Sequence, residues 1–343
     1  MAAKVLAAGT VLPVLEKPRF TSTHILRWLA AQQNWDKIHF DQKYCHEVAN
    51  LEAPVINGAL KQHLIVQFLT NAVPGAWPWR IDYRFVAPDL VGHKLQVRGI
   101  VTSAETRGSH SFVSVQVEVF NLDRAQVTTS GSAVLIVSND GQLMLDAIGV
   151  PEPQGMALDQ AVSPSDPGTS AEISACLGTQ IDARESDYPI DLSRLRLFSE
   201  AVMDMAPLHF NPARAKSSPW GEVVAPPLFP LHGLEAMPGA FPLSEEVRAM
   251  GREGVNEVGR NLSTRFHLDP AGGMNAGNRV QIHSLARAGE RIRADSTLVG
   301  ARRRLGKHGG DMMFFETLNR YMECGGRPLV TERQTVVVRL VGT

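Results

Sequence analysis

The sequence predicts an α+β protein built from two similar halves, each a set of helices followed by an antiparallel meander, and three observations predict it. Short stretches recur in the same order in both halves of the 343-residue chain. Helical apolar spacing opens each half, and runs of β-branched, alternating residues close it. A stretch rich in Pro, Gly, Ser and Asp, residues 139–178, separates the two.

In the first half, STHILRWLAAQQ (22–33) and GALKQHLIVQFLTNAV (58–73) read as helices, the second apolar at Leu60, Leu64, Ile65, Phe68 and Leu69. Four extended segments come next: WRIDYRFVAP (79–88), HKLQVRGIVTSAET (93–106), SHSFVSVQVEVFN (109–121) and QVTTSGSAVLIVS (126–138). The second half has one helix from Leu192 to Met203, with Leu192, Leu195, Phe198 and Val202 on one face. Its strands are RVQIHSL (279–285), ERIRADSTLVGAR (290–302), DMMFFETLNRYM (311–322) and LVTERQTVVVRL (329–340). Three pairs of stretches carry the repeat: NWDKIHFD (34–41) with DMAPLHFN (204–211), VGHKLQV (91–97) with AGERIRA (288–294), and VTTSGSAVLIV (127–137) with VTERQTVVVRL (330–340). Their offsets grow along the chain, so the second half carries insertions. The expected division is 1–138, a linker over 139–178, and 179–343. A layer of sheet and helix buries its remaining edge against its twin, so one pseudo-dimeric body is expected.

Composition narrows the functional classes. Thirty-four basic and thirty-five acidic residues leave a net charge of −1, which gives no field for nucleic acid or an anionic membrane. The 44% hydrophobic content suffices for a core without staples. Cys45, Cys176 and Cys324 stand far apart, which favours a reducing, cytoplasmic compartment over a disulfide framework. The apolar stretch near the N-terminus is short and meets Pro13 without a clear cleavage pattern. His24, His46, His63 and His110 show no metal-ligand spacing, so no metal is expected.

NWDKIHFDQKYC followed by APVINGALKQHLIVQFL resembles the MaoC-like acyl-CoA dehydratases, the (R)-specific enoyl-CoA hydratases. MAPLHFNPARA, APPLFP and the AGERI strand start resemble the partner domain of two-domain members. The resemblance implies a double hot-dog fold, in which two antiparallel sheets, each wrapped around a buried helix, pack as a pseudo-dimer. It further implies a hydro-lyase that adds water to, or removes it from, the α,β bond of an enoyl-CoA thioester. Coenzyme A enters as part of the substrate, and no separate cofactor is expected. A homodimer or a larger homo-oligomer both remain open.

In that family an aspartate and a histidine five residues later form the catalytic pair, and a downstream glycine N–H holds the thioester oxygen. Carried over, the first half supplies Asn34, His39 and Gly58, and the second supplies Asp204, His209 and, at the glycine's place, Pro227. Neither set is complete. An amide does not titrate, so Asn34 cannot act as general base, although it can orient water; Asp36 lies close by in sequence. Pro227 has no N–H to offer an oxyanion. The first half is expected to hold the active site, with His39 carrying the proton transfer and the second half lending the pocket.

Arg80 and Arg84, on a strand, and Arg303, within GARRRLGKHGG (300–310), are candidates for gripping coenzyme A phosphates. Gly92 and Gly289 read as turn residues at strand entry. Two other functions stay open: thioester hydrolysis on the same fold, and a non-catalytic acyl-CoA-binding subunit.

Overall fold

The computed structural model describes residues 6–152, 168–235, 273–305 and 311–340, the backbone of 252–255, and the single positions Leu158, Val162, Leu262 and Phe266. In chain order, the first half contains β1 (Leu15–Glu16), α1 (Ser22–Gln32), β2 (Asn34–Asp36), α2 (Gln42–Glu47), α3 (Gly58–Ala72), β3 (Trp77–Phe85), β4 (Leu95–Arg107), β5 (His110–Asn121) and β6 (Gln126–Ser138). The remainder contains α4 (Ala171–Cys176), β7 (Gln180–Glu185), α5 (Leu192–Ala201), α6 (Pro212–Lys216), β8 (Arg252–Val255), β9 (Met274–Ile282), β10 (Ile292–Leu305), β11 (Asp311–Glu323) and β12 (Pro328–Arg339).

Ten strands form one antiparallel sheet in the order β1-β4-β5-β6-β3-β9-β12-β11-β10-β7. The order reads the same from either edge once halves are exchanged, which is the mark of a pseudo-twofold. The axis passes through the β3–β9 pair, where Ile81 faces Val280 and Tyr83 faces Asn278. The two expected sheets are therefore fused edge to edge, because β3 and β9 satisfy each other's open backbone groups.

Local details repeat across the axis. Thr21 caps α1 by accepting the His24 N–H, and Asp191 caps α5 by accepting the Arg194 N–H. Gly92 and Gly289 sit at φ 96° and 91°, a left-handed conformation that glycine adopts freely, and donate to Phe20 and Ile190 carbonyls, each at 2.7 Å. Across the halves α1 packs on α5. Trp28 meets His63, Phe198 and His232 there edge to face, with ring centroids 5.1–5.8 Å apart.

The buried α3 fills the concave face of the first-half sheet. Leu60, Leu64, Ile65, Phe68 and Leu69 are all fully buried, each contributing about 1.5–3 kcal/mol of transfer free energy. At the corresponding place in the second half the described chain makes only a turn of 3₁₀ helix, Phe229–His232. Residues 236–251, beyond that turn, lie outside the described residues. The segment read as a linker contains α4, and Ala147 donates across to His283 O at 2.8 Å. No helix of the described chain is long and apolar enough to cross a membrane.

Candidate active site

Each half builds the same local scaffold for its histidine. In the first, Asn34 Oδ1 accepts the Asp36 N–H at 3.1 Å, which closes a turn and leads into the 3₁₀ turn Lys37–His39. In the second, Asp204 Oδ1 accepts the Ala206 N–H at 3.2 Å before the turn Pro207–His209. Gln33 and Met203, the residues just before, are both left-handed at φ 55°. Asn34 and Asp204 are thus structural counterparts.

The imidazoles are held alike. His39 Nδ1 lies 2.8 Å from Val55 O, and His209 Nδ1 lies 2.8 Å from Val224 O. A carbonyl only accepts, so Nδ1 carries the proton in both rings and Nε2 carries the lone pair. Both side chains are buried.

Around Nε2 the halves part. In the first, Asn57 Nδ2 lies 3.0 Å from His39 Nε2, while Asn57 Oδ1 caps α3 by accepting the Ala59 N–H at 2.8 Å. The cap fixes which end of the amide faces the histidine, so the amide N–H donates to the ring's lone pair. Gly58 comes next as the first residue of α3, and its N–H has no hydrogen-bond partner among the described residues. That N–H sits at the positive end of a fifteen-residue helix. Phe85 explains the glycine: a Cβ at position 58 would lie 2.6 Å from the ring's Cζ.

In the second half His209 Nε2 lies 3.9 Å from Asp204 Oδ2. Burial pushes the His209 imidazole below its usual range, against the pull of Asp204 and of the Val224 carbonyl. Lys17, from the first half, donates to Met203 O at 2.9 Å beside this pair. Its ammonium is pushed down to about 8 by burial, which outweighs the attraction of Asp204. Pro227 stands where Gly58 stands in the first half, three residues after the Val224 carbonyl as Gly58 is three after that of Val55.

Asp36, expected near the chemistry, caps the turn: its Oδ1 accepts the Ile38 N–H at 3.3 Å. Of the three arginines, Arg80 donates to Gln281 Oε1 at 2.7 Å and lies over the Trp79 ring, tying β3 to β9. Arg303 is paired with Asp311. Arg84 is exposed, on the face of β3 opposite Phe85. The tip of the GARRRLGKHGG hairpin, 306–310, lies outside the described residues.

Sequence reading missed Asn57, Lys61 and Asp89. Lys61, one turn into α3, pairs with Asp89 at 2.9 Å with both side chains buried, and its Nζ lies 5.1 Å from the Phe85 ring centre. Asn121 and Thr128 each donate to Asp89 at 2.7 Å. Burial lowers the Lys61 ammonium, opposed by Asp89. The available signals were an asparagine in helix-capping position and a lysine on an otherwise apolar helix.

Comparison with known proteins bears on both halves. Residues 12–91 match the model of hydroxyacyl-thioester dehydratase type 2, and residues 175–332 match that of the FAS1-like dehydratase domain region. No curated protein matches the sequence. A solved structure from Chloroflexus aurantiacus, described as a MaoC domain protein dehydratase, superposes with a TM-score of 0.65 at 12% identity, over 100% of this chain and 98% of that one. A Mycobacterium tuberculosis protein described as a double hot-dog fold gives 0.59 at 12% identity, over 98% and 97%. A MaoC-like dehydratase from Phytophthora capsici gives 0.50 at 11% identity, over 99% of each chain. The structural likenesses, at 11–12% identity, establish the double hot-dog fold, and a dehydratase model matches part of each half.

Proposed function

We propose that the first half is the active site of a hydro-lyase that adds or removes water across the α,β bond of an enoyl-CoA thioester. The observation that carries this reading is that Asn57 at the head of α3 holds His39 Nε2, and the next residue, Gly58, has an N–H without a hydrogen-bond partner among the described residues; Pro227 denies the second half that donor. In the dehydration direction His39 Nε2 takes the α-proton of a 3-hydroxyacyl thioester. Negative charge moves to the thioester oxygen, where the Gly58 N–H receives it. The Cβ–O bond then breaks, and the departing hydroxyl takes the same proton from His39 and leaves as water. Hydration runs the steps in reverse. One base suffices because the proton it removes is the one it returns. Asn34 contributes an amide beside the site to orient water, and Asn57 holds the ring until substrate replaces its hydrogen bond.

Coenzyme A is the proposed carrier, with Arg84 as the one candidate arginine that is both exposed and without a partner among the described residues. The three free cysteines support a cytoplasmic setting. Loss of absorbance from a trans-2-enoyl-CoA, followed alongside thiol release, tests the reading. Hydration without free thiol supports it; thiol release with the double bond intact assigns the protein to thioester hydrolysis instead.

A further inference from the structure

A short backbone ladder holds the segment that leads into α3, and both halves have it. In the first, Ile56 donates to Asp89 O at 2.7 Å and Val91 donates to Pro54 O at 2.8 Å, around a bridge between Val55 and Leu90. In the second, Ala225 donates to Ala286 O at 2.8 Å and Ala288 donates to Val223 O at 3.2 Å, around a bridge between Val224 and Arg287. Val55 and Val224, at the centre of each ladder, are also the residues whose carbonyls hold His39 and His209. Asp89 and Ala286 are therefore counterparts. So are Lys61 and Pro230, three residues after Gly58 and Pro227.

At these counterpart positions the halves differ. The first places the buried Lys61–Asp89 ion pair, 2.9 Å long, against its ladder, whereas the second closes the same ladder around the buried Ala286 and Pro230. Taking two charges out of water is costly, and apolar residues of similar volume serve stability as well or better. Asn121 Nδ2 and Thr128 Oγ1 complete the Asp89 carboxylate, each at 2.7 Å, so the pair is fully built rather than stranded. The ladder does not require it, since its twin forms without one. The first half carries the pair beside two groups the second half lacks: the Asn57 amide on His39 Nε2 and the Gly58 N–H, where the second half has Pro226 and Pro227.

Asp89 grips this segment twice. Its carbonyl takes the Ile56 N–H, between Val55 and Asn57, and its carboxylate takes the Lys61 ammonium one turn into α3. Lys61 and Gly58 are three residues apart and so share one face of the helix. Phe85 touches both: its ring centre lies 5.1 Å from Lys61 Nζ, and its Cζ lies 2.6 Å from where a Cβ on Gly58 would stand. We propose that Lys61 and Asp89 are positioning residues for the hydro-lyase reaction. The pair clamps the first turn of α3 to the ladder, and thereby sets the spacing between the Gly58 N–H and the histidine that Val55 and Asn57 hold.

The assignment rests on the first-half reading, and its test includes a measurement that needs no turnover. Lys61→Met with Asp89→Asn, and Lys61→Leu with Asp89→Ala, each remove both charges together. Hydration of a trans-2-enoyl-CoA, thermal melting and hydrogen–deuterium exchange over residues 54–61 are measured for the full chain, both double variants and His39→Gln. At least one double variant is expected to melt near the parent, with kcat lowered about 10- to 100-fold, KM within about three-fold, and faster exchange over 54–61 while the sheet exchanges as before. A purely structural pair would leave kcat and the local exchange of a folded double variant unchanged, and either result overturns the assignment. Failure of both double variants to fold overturns it as well, because the pair would then serve the fold. Full rate in a folded His39→Gln, or no hydration by the parent, overturns the first-half reading instead, and the exchange over 54–61 then decides whether the pair positions the segment.

Discussion

His63 gives a quantitative prediction about acid stability. It lies on α3 at 5% exposure among Trp28, Phe198 and His232, and burial pushes its imidazole down to about 3. In the unfolded chain it titrates near the ordinary value of 6.5. Between those two values the unfolded state binds a proton that the native state refuses. Stability therefore falls as pH falls from about 6.5 toward about 3, at about 1.4 kcal/mol per pH unit for this one group. From pH 7 to pH 5 the loss integrates to about 2 kcal/mol, because titration is only beginning at the upper limit. His63→Phe keeps an aromatic ring among the others and removes the proton site. Denaturant unfolding of both proteins at pH 5, 6 and 7 isolates the effect, since every other titrating group is common to the two. The variant is expected to gain about 2 kcal/mol relative to the parent between pH 7 and pH 5, whatever its offset at pH 7. Parallel stability curves would refute the assignment.

Three further substitutions probe the scaffold of the site. Gly58→Ala drives a methyl into Phe85 and is expected to cost about 1–3 kcal/mol, which Phe85→Leu in the same chain should largely recover; absence of recovery in a double-mutant cycle removes the steric explanation. Asn57→Ala loses the α3 cap and should destabilise by about 1 kcal/mol in urea, whereas Asn57→Asp keeps a capping oxygen and should stay near the parent. Lys61→Met strands the buried Asp89 carboxylate and should cost about 3–5 kcal/mol, and adding Asp89→Asn should return much of it; a double variant as weak as the single one contradicts a paired network.

The strands were legible because their residues alternate or are β-branched, and the long helices because their apolar spacing is helical. The repeat was legible because both halves need the same turn chemistry: a left-handed residue before Asn34 and Asp204, and a glycine at 92 and 289. Fusion into one sheet was not legible, since β3 and β9 read alike whether they end a sheet or meet in its middle. Within the site, the sequence pointed to His39, His209 and the Gly58–Pro227 difference. It did not show Asn57 against His39, because the contact spans a loop, nor Lys61 with Asp89, which lie twenty-eight residues apart and meet only when α3 packs on the sheet. Asp36 was singled out by nearness in sequence alone, and its Oδ1 caps the turn by accepting the Ile38 N–H.

The central claim is that proton transfer belongs to His39 and not to the Asp204–His209 pair. Measuring kcat/KM for hydration of a trans-2-enoyl-CoA by His39→Gln and Asp204→Asn, with circular dichroism to verify both folds, tests it most directly. A fall of about 10²- to 10⁴-fold in the first, with the second within about three-fold of the parent, is the expected result. The reverse pattern, a folded His39→Gln at full rate and an inactive Asp204→Asn, would move the chemistry to the second half.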